Sequence, residues 1–164
     1  MIKDISLDIS VLVEDAAWQQ KLPRLQKKIV MAVETALLSQ HKLRLKHDSY
    51  ELSVMLTHDK KIKALNKQHR DKDYATNVLS FPQDGVPMAP GMPAMIGDIV
   101  LTHGVIEAEA KAEGKPFNNH FLHLVVHGVL HLCGYDHITP SQARTMEGLE
   151  KTILTDLNIP DPYL

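Results

Sequence analysis

The chain has 164 residues, 44% apolar and 23% charged, with a formal net charge of −2. That is enough for one domain with a proper core and too little for two, and the proportions are those of an ordinary globular protein. No apolar run approaches the roughly 20 residues that a membrane-spanning helix needs.

Residues 1–10 carry Asp4 and Asp8 and read as an amphipathic strand. They have neither the apolar core of a signal peptide nor the Arg-rich, acid-poor character of a transit peptide. Ile5, Leu7, Ile9, Val11 and Val13 alternate with Ser6, Asp8 and Ser10, which predicts a strand with one buried face. Trp18, Leu22, Leu25, Ile29, Val33, Ala36 and Leu37 then recur at helical spacing, and Pro23 places the start of the main helix after a short lead-in turn. Tyr50, Leu52, Val54 and Leu56 form a second alternating strand. Asp59 is the expected N-cap of a helix reaching about Arg70. Val78 to Phe81 reads as a short strand ended by Pro82. Residues 82–96, with four prolines and two glycines, read as one long irregular loop, either a lid or a tolerated insertion. Ile99 to Thr102 is a fourth strand, able to pair with Val78–Phe81 across that loop. Helices follow from about Val105 to Glu113, closed by Gly114, from Pro116 to about Cys133, with Gly134 at C′, and from Pro140-Ser141 to before Asn158. The order β-α-β-α-β-β-α-α-α predicts an α+β fold: a single domain over 1–164, in which a small mixed sheet of about four strands packs against several helices.

The net charge hides an asymmetry. Residues 21–72 contain 13 of the 18 Lys+Arg and 5 of the 20 acids, a local +8, and the remainder carries −10. A basic sector of this kind suits a polyanion, although charge alone is better explained by a solvated surface. The single cysteine, Cys133, excludes an internal disulfide and fits a reducing, cytoplasmic compartment.

The segment 117–133 is apolar nearly all round, which marks a buried helix. Beyond Asn119 its polar side chains are all histidines: His120, His123, His127 and His131. Buried imidazoles need partners. His127 and His131, one helical turn apart, can reach one ion, and a left-handed Gly134 can turn the chain so that His137 joins them. Three imidazoles without an evident fourth protein ligand describe a catalytic zinc site with a position left for water, although nitrogen ligands also suit copper, nickel or iron. His123 reads as a packing residue or a hydrogen-bond partner of a ligand, and Cys133 as a buried apolar residue. Asp136 either orients an imidazole or forms a turn. Zinc peptidases of the H-E-x-x-H type carry a general-base Glu directly after the first His; here that position is Gly128.

The run His127-Gly128-Val129-Leu130-His131-Leu132-Cys133-Gly134-Tyr135-Asp136-His137 resembles the signature H-G-x-L-H-L-x-G-Y-D-H of the YbeY endoribonuclease family, with every fixed position filled. Leu65-Asn66, Arg70, Thr76-Asn77-Val78-Leu79-Ser80-Phe81-Pro82 and Gly97-Asp98-Ile99 also resemble the family, in order and spacing. Two departures stand out: Asn77 occupies a place where the family usually has Asp, and the Pro-rich loop is long. The resemblance implies a single-strand-specific, metal-dependent endoribonuclease of ribosomal RNA maturation, notably at the 3′ end of the small-subunit RNA, and of ribosome quality control. Its partners would be ribosomal RNA, the small subunit and assembly factors. It further implies one Zn2+ ion on His127, His131 and His137, and a functional role for Arg70.

In that role Arg70 would neutralise charge building on phosphorus. The nucleophile stays open between hydroxide on the ion, available because zinc lowers the pKa of its water to about 7, and the RNA 2′-hydroxyl. Lys60, Lys63, Lys67 and Arg70 lie along one helix face, which is expected to track the RNA backbone. Aromatic platforms are few, favouring recognition of shape and backbone over base identity. Two rival readings accompany this one. The first is a zinc-dependent amide or peptide hydrolase with Asp98 as its base; the second is a non-catalytic ribosome assembly factor with a structural zinc closed by a fourth ligand.

Overall fold

The computed structural model describes residues 4–164, so the part of the N-terminal strand reading that falls on residues 1–3 lies outside the described residues. Four strands, β1 (Ser6–Val13), β2 (Ser49–Thr57), β3 (Val78–Pro82) and β4 (Ala94–Thr102), form a mixed sheet in the order β1-β2-β4-β3. β1 and β4 run parallel to β2, and β3 runs antiparallel to β4 on the edge. The helices are α1 (Ala17–Lys21), α2 (Leu25–Ser39), α3 (Asp59–Arg70), α4 (His103–Glu113), α5 (Phe117–Leu132) and α6 (Pro140–Asp156). The expected α+β architecture is what the chain adopts.

The period-2 pattern of the strands sets the two layers. Tyr50, Leu52, Val54 and Leu56 of β2 join Ile99 and Leu101 of β4 in the main core, against α2, α5 and α6. Side chains of the opposite parity, Met55, Leu79, Phe81 and Val100, meet Ile62 and Leu65 of α3 in a smaller cluster on the other face. The α5 helix is therefore central, with Phe121, Val125, Val126, Val129 and Leu130 fully buried. Burial of that many large side chains, each worth about 1.5–3 kcal/mol, fixes the helix against the sheet.

Three boundaries differ from expectation. First, β4 begins at Ala94, not at Ile99, and β3 includes Pro82, so the irregular segment shortens to residues 83–93. The register slips between Glu51 and Leu52 of β2, which pair with Met95 and Gly97 and leave Ile96 as a bulge. Gly97 takes φ 147 there, and a Cβ would run into the Phe81 carbonyl oxygen, so only glycine fits. Second, His58, not Asp59, is the N-cap of α3: its Nδ1 accepts from the Lys61 amide at 3.3 Å. Asp59 instead accepts from the Thr102 hydroxyl at 2.5 Å, tying the start of α3 to the end of β4. Third, α4 opens at His103, two residues earlier than expected.

Candidate metal centre

The histidine segment ends as its sequence suggests. Gly134 adopts φ 97, the Gly134 amide donates to His131 O at 3.0 Å, and the Tyr135 amide donates to Leu130 O at 3.0 Å, a Schellman closure. The reversal carries His137 back over the helix end. Ring centroids lie 4.5 Å apart for His127 and His131, 5.3 Å for His127 and His137, and 5.1 Å for His131 and His137. One ring nitrogen from each falls within 4.8 Å of the others. Among the described residues, no fourth His, Cys, Asp or Glu joins this group.

Hydrogen bonding decides which nitrogens face inward. The Nδ1–H of His131 donates to the Tyr135 carbonyl at 3.0 Å, supplied by the same turn. The Nδ1–H of His127 donates to Glu150 Oε1 at 2.5 Å. With both rings neutral, each Nε2 is a bare lone pair, and the two Nε2 atoms sit 3.0 Å apart. Two lone pairs at that distance repel unless a proton or a metal ion lies between them, and bonds of about 2.0 Å to a tetrahedral ion place nitrogens roughly 3.3 Å apart. The donor set fits such an ion. Burial pushes His131 below its ordinary pKa, against a smaller opposing effect from the Tyr135 carbonyl; the neutral, ligating form is favoured.

Glu150 was not visible in the sequence reading. It lies on the buried stripe of α6, between Met146 and Ile153, and is fully buried. Its carboxylate accepts from His127, from His123 Nε2 at 2.9 Å, and from the Tyr163 hydroxyl. Burial alone would raise its pKa; the hydrogen bonds from His123, His127 and the Tyr163 hydroxyl outweigh this and hold it at about 2. His123 is thus a partner of the carboxylate that holds His127. Burial, followed by Glu150, in turn pushes the Tyr163 phenol well up, so it stays a donor.

The three histidines open onto a cleft of about 480 Å3, whose opposite wall is the edge strand β3 with Asn77, Ser80 and Pro82. Arg70, the last residue of α3, lines the same cleft. Its Nη2 donates to the Ser80 carbonyl at 2.7 Å and its guanidinium lies 5.5 Å from the Phe81 ring centre, which leaves further N–H donors free. Asn77 donates to Glu109 at 3.0 Å and accepts from the Val78 amide at 2.7 Å. An Asp in its place would confront the Glu109 carboxylate, which is the physical reason that an amide suits this chain. Asp136 accepts from the His137 amide at 2.8 Å, the turn-forming role of its two readings.

Gly128 faces the sheet. A Cβ there would lie 3.0 Å from Ile99 Cγ2 and 3.3 Å from Ser80 Oγ, and Ser80 Oγ donates to the Gly128 carbonyl at 3.1 Å. The position that holds a general base in H-E-x-x-H helices is here a close-packing point of helix on sheet. Asp98 cannot replace that base either. It has the parity of Val100, on the α3 side of the sheet, and receives the Ser53 hydroxyl. The amide-hydrolase reading thereby loses its base, and the closed structural site lacks its fourth ligand among the described residues.

Much of the basic sector is paired with acids. Lys21 pairs with Glu107 at 2.7 Å and Lys61 with Glu14 at 3.0 Å. Lys63 and Lys67 each lie 3.9 Å from Asp73 on an exposed surface, and Lys60 is exposed beside them. No helix among the described residues is long and apolar enough to cross a membrane.

The sequence profile of the family described as endoribonuclease YbeY matches residues 12–158. A protein of Sinorhizobium fredii (strain NBRC 101917 / NGR234) named endoribonuclease YbeY is 43% identical over 162 residues, covering 96% of this chain and 92% of that protein. The same-named protein of Rhizobium meliloti (strain 1021) is also 43% identical over 162 residues, covering 96% of this chain and 95% of its own. That of Rhodopseudomonas palustris (strain BisB5) is 51% identical over 119 residues, covering 69% of this chain and 61% of its own. The solution structure of TM1509 from Thermotoga maritima shares the fold, with a TM-score of 0.54 at 24% identity, covering 92% of this chain and 91% of that one. The histidine signature, the profile match along most of the chain and these relatives together make this protein a member of the endoribonuclease YbeY family.

Proposed function

We propose that this chain is a metal-dependent endoribonuclease that cuts single-stranded RNA at a centre formed by His127, His131 and His137, with the whole activity in one domain over residues 1–164. The observation that carries the reading is the pair of facing Nε2 atoms 3.0 Å apart, each with its Nδ1–H already committed elsewhere. Three neutral imidazoles suit zinc, and Zn2+ is the ion we assign. The class of substrate follows from the family and from relatives named endoribonuclease.

His127, His131 and His137 would hold the ion, which would supply Lewis acidity toward a phosphate oxygen and make a water more acidic. The chain's own groups do the rest. Glu150 and the Tyr135 carbonyl hold the Nδ1 protons of His127 and His131, which fixes both rings and their tautomers. Arg70, clamped by the Ser80 carbonyl and the Phe81 ring, offers its remaining donors to non-bridging oxygens as negative charge builds on phosphorus. Lys60, Lys63 and Lys67 lead along the exposed face of α3 to Arg70 and track the backbone of the strand. We place this activity in ribosomal RNA maturation, at the 3′ end of the small-subunit RNA, and in ribosome quality control in the cytoplasm.

The test is incubation of zinc-loaded and chelator-stripped protein with a single-stranded RNA and with a duplex of the same sequence. Cleavage of the single strand by the loaded protein alone is expected, with His131→Ala inactive and Arg70→Ala slowed about 100-fold or more. Product ends identify the nucleophile, because a 2′,3′-cyclic phosphate requires attack by the 2′-hydroxyl. Cleavage that survives both chelation and His131→Ala would belong to a contaminating nuclease and sink the assignment.

A further inference from the structure

After α6 the chain reverses through Asn158, at φ 60, and returns along α5. This tail is tied down repeatedly. Lys151 Nζ pairs with Asp161 at 3.1 Å, the Tyr163 amide donates to Asp161 Oδ1 at 2.9 Å, and Lys115 Nζ donates to the Pro162 carbonyl at 2.5 Å. The ties set one side chain. The Tyr163 ring stands edge-on to His123, with centroids 5.5 Å apart, and its hydroxyl reaches past that ring to the buried carboxylate of Glu150.

Glu150 Oε1 faces one donor, His127, and Oε2 faces two, His123 and Tyr163. The terminal torsion of a glutamate is broad and roughly two-fold, so packing alone fixes the carboxylate plane poorly. A third donor, arriving from a different segment, does fix it. We infer that Tyr163 is a positioning residue for the metal centre: its hydroxyl locks Glu150 in the orientation that takes the Nδ1 proton of His127 and so aims the Nε2 lone pair of His127 at the ion. The inference rests on the metal reading above. It assigns a role in holding the ion to Tyr163, a residue outside the metal group that is itself about half exposed. Partners of ligand imidazoles commonly govern metal affinity by about 10–100-fold.

The decisive variant is Tyr163→Phe, which keeps the ring on His123 and removes one oxygen. Zinc affinity is measured by competition with a chromophoric chelator at pH 7, and the ligand field is read from the visible bands of cobalt-loaded protein. Tyr74→Phe, at an exposed residue that does not line the cleft, serves as control. Zinc binding about 10-fold weaker in Tyr163→Phe, with shifted cobalt bands and an unchanged Tyr74→Phe, supports the inference. Wild-type protein that binds zinc, together with Tyr163→Phe of the same affinity and spectrum, overturns this inference alone. Wild-type protein that takes up no zinc overturns it together with the metal reading.

Discussion

Replacing Glu150 by glutamine exchanges one carboxylate oxygen for an amide nitrogen at almost unchanged volume. Three donors converge on that carboxylate: His127 at 2.5 Å, His123 at 2.9 Å and the Tyr163 hydroxyl. Glutamine offers one oxygen, so at least one donor is left facing an NH2 group in a site without solvent. The size of the effect follows from the carboxyl's displacement from an ordinary 4.5 to about 2. This corresponds to roughly 3 kcal/mol of stability held by the ionised form. Because the folded value is the lower one, the contribution is complete above about 4.5 and disappears as pH falls through about 2. Glu150→Gln should therefore be about 3 kcal/mol less stable than wild type at pH 7, with the gap narrowing below pH 4.5. Trp18, the only tryptophan and fully buried, reports urea unfolding by its fluorescence, with chelator present throughout. A gap under about 1 kcal/mol at pH 7, or one that does not change with pH, would show that the carboxylate is not held as described.

Other perturbations probe the remaining parts of the cleft. Asn77→Asp sets a second carboxylate where Asn77 now donates to Glu109 at 3.0 Å, and should cost about 1–2 kcal/mol at pH 7. Protonation of either carboxyl relieves the repulsion, so the loss should shrink toward pH 4; equal stability of both proteins at pH 7 would contradict the geometry. The double variant Lys63→Ala, Lys67→Ala should flatten the salt dependence of RNA binding by about one in log–log slope, since Asp73 already balances part of their charge. An unchanged slope removes the α3 face from the binding path. Cys133 is buried, and burial pushes its thiol to about 12. Native protein at pH 8 should react with a thiol reagent only as fast as it opens, and rapid stoichiometric labelling would refute the buried placement. The same raised pKa makes the folded state lose stability as pH climbs from about 9 toward 12.

What the sequence disclosed and what it withheld divide along chain distance. The three histidines were legible because a helical repeat and one glycine turn bring them together within eleven residues, so local geometry sufficed. The start of β4 was hidden because the Ile96 bulge and Gly97 break the two-residue alternation, just where prolines suggest a loop. Arg70 needed the family resemblance. Its place on the cleft depends on α3 ending beside the open edge of β3, where the Ser80 carbonyl accepts its guanidinium, and no local pattern encodes that meeting.

Glu150 left a trace that could have been read. Met146, Glu150, Ile153 and Leu154 share one buried face of α6, and a carboxylate on an apolar stripe must be paid for by partners. The unclaimed donors within reach of a neighbouring helix are ring N–H groups on the histidine stripe of α5. A buried acid on one amphipathic helix and surplus imidazoles on another therefore imply each other. Pairing them predicts both the α5–α6 packing and the tautomer of His127, since the nitrogen turned to Glu150 carries the proton and the neutral ring leaves the other bare. The tautomer in turn decides whether an ion can be held. The acidity of one α6 side chain and the chemistry of the cleft are thus the same physical question, and the glutamine variant addresses both: its stability loss measures the pairing, and its zinc affinity measures what the pairing is for.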